Sequence, residues 1–62
     1  MKIKFIGKSD YNFTKNHTYQ LVKIDIGDFI VSAYISDNEN KIRYVPYMSL
    51  ELFNDNWEVV NE

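Results

Sequence analysis

The chain has no cysteine, one proline (Pro46), one histidine (His17), one arginine (Arg43) and two glycines in its 62 residues. Without cysteine no disulfide staples the fold and no Cys/His set gathers zinc, so stability has to come from an apolar core. Residues 1–62 are expected to form one small domain, and a chain this short buries only about 60% of the surface its unfolded form exposes. No run of roughly eighteen apolar residues occurs, so no segment reads as a membrane span. The first six residues, Met1 to Ile6, carry lysines but lack the apolar stretch and small-residue cleavage site of a secretory signal. A cytoplasmic location is expected on that ground. The two N-x-[ST] sequons, at Asn12 and Asn16, then read as chance.

Against these absences stands a heavy aromatic load, ten Phe, Tyr and Trp residues, within a composition that is 45% hydrophobic. With a net charge of only −2, this argues for folding over disorder. The charge is unevenly spread. Residues 1–24 set five lysines against Asp10, a net of +4, whereas residues 25–62 set Lys41 and Arg43 against eight acids, a net of −6. The expectation is that the basic first strand lies beside the acidic last one and the two neutralise locally. A sequence pI near 5.2 leaves no basic footprint for nucleic acid, so binding to DNA or RNA is disfavoured.

Catalytic chemistry is sparse. His17 lies in a polar stretch with no nucleophile to serve. Gly7-Lys8-Ser9 has the ending of a phosphate-binding loop, but Lys2 stands where the earlier glycine is needed. Asp37-Asn38-Glu39-Asn40 has the opening of a calcium loop, but Ile42 stands at the glycine position. Asp25 and Asp28, flanking Gly27, read as turn residues that solvate and cap the backbone. No enzyme activity, no cofactor and no metal site is expected.

The pattern along the chain is that of short strands. Lys2 to Ile6 alternates, with Ile3 and Phe5 on one face. Gly7 to Thr18 is polar and rich in turn formers, a folded-over loop rather than a tight turn. Tyr19 to Ile26 is a second strand whose apolar phase slips near Leu21-Val22, the mark of a bulge or of a residue buried on both faces. Gly27-Asp28 supplies a turn, with Gly27 free to take a positive φ. Phe29 to Ser36 is dense in β-branched and aromatic residues. Asp37 to Asn40 turns the chain again, and Lys41 to Val45 alternates until Pro46, which has no N–H to donate, is expected to stop the ladder. Tyr47 to Phe53 holds a single helical or 3₁₀ turn opened near Ser49. Asn54 to Asn56 reads as a loop and Trp57 to Val60 as a short last strand. The expected core is Ile3, Phe5, Leu21, Ile24, Val31, Ala33, Ile35, Val45 and Val59. Five short strands in so small a chain favour a closed or nearly closed all-β barrel.

The run Lys15-Asn16-His17-Thr18-Tyr19-Gln20-Leu21-Val22-Lys23-Ile24, then Tyr44-Val45-Pro46, then a strand ending in Val59-Val60, resembles a pattern in small SH3-like barrel proteins of low-GC bacteria and their phages. The wealth of Asn, Lys and Ile fits an AT-rich coding sequence. The resemblance covers nearly the whole chain through short motifs. It implies a five-stranded SH3-like barrel with one helical turn before the last strand, and a possible binding module. The sequence departs from peptide-binding SH3 domains at Phe29, where they carry Trp, and at Ser49, where they carry Tyr. Both departures remove parts of the groove that reads polyproline, and no P-x-x-P ligand is expected.

The functional expectation is a protein-interaction module, such as a phage or mobile-element accessory or inhibitory protein that covers a host enzyme's surface. The alternatives are a nucleic-acid-associated barrel and an accessory domain of a larger assembly. Tyr11 and Phe13 in the first loop, with Tyr44 and Tyr47 around Pro46, are the expected partner-binding residues, because aromatics bring large contact area at low entropy cost.

Overall fold

The computed structural model describes residues 1–60. Its elements in chain order are β1 (Lys2–Phe5), β2 (Thr18–Ile26), β3 (Val31–Ser36), β4 (Ile42–Tyr47), α1 (Leu50–Asn56) and β5 (Trp57–Val59). Every strand pair is antiparallel, and the five strands make one sheet of order β4-β3-β2-β1-β5. The all-β plan with one short helix before the last strand is therefore what forms. Closure is not: among the described residues β4 and β5 do not pair, and they remain the two edges of the sheet.

The slip of phase in β2 is a bulge. Leu21 pairs with Ile35 and Lys23 with Tyr34, so Val22 is the extra residue on its strand. The bulge turns Val22 outward and returns Ile24 to the side facing Ala33, which keeps the apolar faces aligned on either side of it. It also divides β2 between two partners, since residues 18–20 pair with β1 and residues 21–26 with β3. On the other flank of β1, Lys4 stands opposite Glu58, so the basic first strand does lie beside the acidic last one.

Four local expectations are corrected. Gly27 does not adopt a positive φ; the left-handed positions are Asn16 (φ 71°) and Asn40 (φ 61°). The β2–β3 turn closes instead through the Gly27 N–H donating to the Ile30 carbonyl at 2.9 Å. Phe29 and Ile30 consequently belong to that turn rather than to β3. Pro46 does not end β4. The Asp37 N–H donates to the Lys41 carbonyl, which makes that pair a hydrogen-bonded one, and bonded and non-bonded pairs alternate from there. Arg43, Val45 and Tyr47 then bond to β3, while Ile42, Tyr44 and Pro46 fall on non-bonded sites. The ladder asks for no N–H at Pro46, so it runs through it. Finally, Ser49 does cap the helix, accepting from the Leu52 N–H, but α1 runs on to Asn56 where a loop was expected.

The core is Ile3, Phe5, Phe13, Tyr19, Leu21, Val31, Ala33, Ile35, Phe53 and Trp57. Ile24 and Val45 pack against it half-buried, whereas Val59 is 55% exposed. Val59 pairs with the fully buried Ile3, but β5 is an edge and no strand lies beyond to cover it. Phe13, Tyr19, Phe53 and Trp57 supply the rest. Phe13 meets Tyr19 and Trp57 edge to face, with centroids 5.1 and 5.0 Å apart, and Trp57 lies 4.9 Å from Phe5. An aromatic box thus closes the end of the sheet formed by β1, β2 and β5.

Candidate binding groove

The first loop is shaped by one carboxylate. Asp10 Oδ1 accepts from the backbone N–H groups of Asn12 and Phe13, both at 2.8 Å, and the Asp10 N–H donates to the Phe13 carbonyl. This tight turn drives Phe13 inward, where it is only 4% exposed. The loop is then pinned from two sides. Ser9 Oγ accepts from the Lys15 N–H, and the Tyr19 hydroxyl accepts from the Thr14 N–H while donating to Asn38 Oδ1. The Asn38 N–H in turn donates to the Asn12 carbonyl, which ties the first loop to the β3–β4 turn.

That tie leaves a groove of about 660 Å³ between the loop and β4. Lys8, Asp10 and Asn12 form one wall, and Phe5 and Phe13 reach its floor. The other wall is β4 itself, Ile42 through Tyr47 without a gap. A groove on a face of a sheet meets only alternate residues of a strand. Contact with six in succession means that it runs along the free edge of β4.

Of the four expected binding residues, Phe13, Tyr44 and Tyr47 line the groove and Tyr11 does not. Tyr44 borders the groove, and on the outer face of the sheet its ring lies 5.3 Å from that of Tyr34. Tyr47 also borders it but is half-buried: its ring meets Phe53 edge to face, and its hydroxyl accepts from Trp57 Nε1 at 2.9 Å. Burial pushes the Tyr47 phenol above its ordinary pKa. Phe13 is core and offers a partner almost no surface. Tyr11 is 85% exposed at the loop tip and lies outside the groove's lining.

The β3–β4 turn holds the one buried carboxylate among the described residues. Asp37 accepts from Arg43 Nε at 2.6 Å and from the N–H groups of Glu39 and Lys41. The bond from Arg43 is the main cause that holds the Asp37 carboxyl below its usual pKa, over the opposing effect of burial. Both oxygens of Asp37 therefore serve the turn and the guanidinium. Among the described residues no three His, Cys, Asp or Glu side chains are grouped to hold a metal ion. Among the described residues no helix is long and apolar enough to cross a membrane.

Sequence reasoning missed a second surface. Val31 pairs with Tyr47, so Ile30 and Met48, next in each segment, lie at one end of the sheet beside Ile26 and Phe29. Phe29 is 88% and Met48 81% exposed. Phe29 looked like strand because it opens the most β-prone run in the chain. The nearby Gly27-Asp28 was the signal that the turn could extend through it. No protein-family model, curated protein or solved structure matches the chain.

Proposed function

We propose that the chain is a small SH3-like, partly open barrel that works as a non-enzymatic protein-interaction module, binding its partner at the groove between the first loop and β4. The strand order and the single helix between β4 and β5 support the barrel, with the helix bridging the two edges that hydrogen bonds leave unpaired. The observation that carries the functional reading is the groove: 660 Å³ in a 62-residue chain, within the size range of ligand sites, walled by an unpaired strand edge and the exposed Tyr44. Its walls hold no paired acid and base set for bond chemistry, since Asp10 is occupied by its own loop and Arg43 by Asp37. Exposed aromatic area beside unsatisfied main chain suits a protein surface better than a small metabolite. The test is capture of partners from a bacterial lysate by the immobilised chain, compared with Tyr44→Ala and Tyr11→Ala. Loss of a captured protein with Tyr44→Ala, at an unchanged melting temperature, is the expected result. Equal capture by the unaltered chain and Tyr44→Ala would contradict the assignment.

A further inference from the structure

The free edge of β4 is chemically specific. Because Ile42, Tyr44 and Pro46 occupy non-bonded sites opposite β3, their main-chain polar groups point away from the sheet and toward the groove. The edge thus presents the N–H groups of Ile42 and Tyr44 and the carbonyls of Ile42, Tyr44 and Pro46. Among the described residues none of these groups has a hydrogen-bond partner outside the ladder. Such a row is a template for another strand. The groove is bounded across from it by the loop at Lys8, Asp10 and Asn12. That wall decides what enters. A second copy pairing through its own β4 would have to seat its own first loop against the same edge. A single extended chain has no such obstacle.

Charge narrows the occupant further. Of the three charged residues that line the groove, Asp10 is engaged by two N–H groups and Arg43 by Asp37. Lys8 remains as a cation with no ion pair among the described residues. We propose that the groove takes an extended, carboxylate-bearing segment of a partner protein, which adds to β4 as a sixth strand and sets its acidic side chain against Lys8. Alternate side chains of that segment fall on the inner face of the sheet with Val45 and Tyr47, and the others on the outer face with Tyr44. The inference rests on the interaction-module reading and adds to it the mode of binding and the chemistry of the ligand.

The probe is the set of peptides selected on the full chain from a display library of random ten-residue segments. The expected result is selection of segments enriched in Asp or Glu, with the Ile42 and Tyr44 amides shifted downfield and slowed in hydrogen exchange on titration. N-methylation of the peptide amides that face β4 should weaken binding at least tenfold, and methylation of the alternate amides should not. Tyr44→Pro, which removes one outward N–H from a site where β3 asks for none, should bind at least tenfold more weakly than Tyr44→Ala. If Tyr44→Pro does not fold, the exchange and N-methyl measurements on the unaltered chain decide. Peptides that bind while the Ile42 and Tyr44 amides stay unprotected overturn strand addition, as does a library that yields no binder. Capture of a folded partner that depends on Tyr44 would then still support the interaction module, so the two failures are separable.

Discussion

Asp37 shows how one side chain organises the turn on which the groove depends. Its carboxylate gathers two backbone N–H groups and the Arg43 guanidinium, and so sets the entry of β4. Because its folded pKa lies below the unfolded value of about 3.9, its stabilisation is present above that value and is lost as the pH falls through the folded one. Acid titration of the melting temperature should therefore show a decline below about pH 4 that Asp37→Asn largely removes. A decline of equal slope in Asp37→Asn would show that other carboxylates carry it. Asn40 makes the same turn possible from the backbone side, at φ 61°. A left-handed residue with a Cβ costs roughly 1–2 kcal/mol, a cost that Asn offsets by local hydrogen bonding and glycine escapes. Asn40→Ala should lose about 1 kcal/mol in denaturant melts, and Asn40→Gly should lose little or none. Gly7 is required for space rather than for φ. A Cβ there would collide with Asn56 Oδ1 and come within 3.0 Å of the Phe5 ring.

Among the elements, the first loop carries the most consequence per residue. Phe13 is a core residue placed by a loop, so Phe13→Ala should cost about 3–5 kcal/mol, much of what a small domain has. Tyr11→Ala, two residues away and exposed, should stay within about 0.5 kcal/mol, and thermal melts of the two variants separate them directly. This contrast was hidden in the sequence. Strands announce themselves by alternation, which is why the strands, the bulge at Val22 and the Ser49 cap were legible along the chain. Phe13 belongs to no periodic segment, and its inward turn depends on Asp10 and on partners remote in sequence, Tyr19 and Trp57. Pro46 misled for a related reason. Its missing N–H forbids only the bonded sites of a ladder, and which sites are bonded follows from the register with β3, set at the Asp37–Lys41 pair. The helix overran its expected end because Asn56 and Trp57 close it locally: the Asn56 side chain donates to the Leu52 carbonyl and the Trp57 N–H to that of Phe53. Of the candidate site, Tyr44 and Tyr47 were legible as groove residues from their place around Pro46. The free edge and Lys8 were not, since both depend on which strand ends the sheet.

For the whole molecule, the unequal charge of the two halves is folded into proximity, with Lys4 opposite Glu58 across β1 and β5. The seven basic residues are offset by nine acids. Nucleic-acid affinity at physiological salt should be unmeasurable, because non-specific binding is supplied by neutralising phosphates. A salt-sensitive gel shift at micromolar protein would contradict this. The central claim, that the sheet ends at β4 and leaves its outer edge unpaired beside the groove, concerns the free protein and needs no partner to test. Amide hydrogen exchange of the isolated chain, resolved by residue, is the most direct measurement. Alternation is the expected result, with Arg43, Val45 and Tyr47 protected by β3 and Ile42 and Tyr44 exchanging fast. Protection of Ile42 and Tyr44 equal to that of their neighbours would mean that the edge is already paired, and the groove would then be no site for a strand.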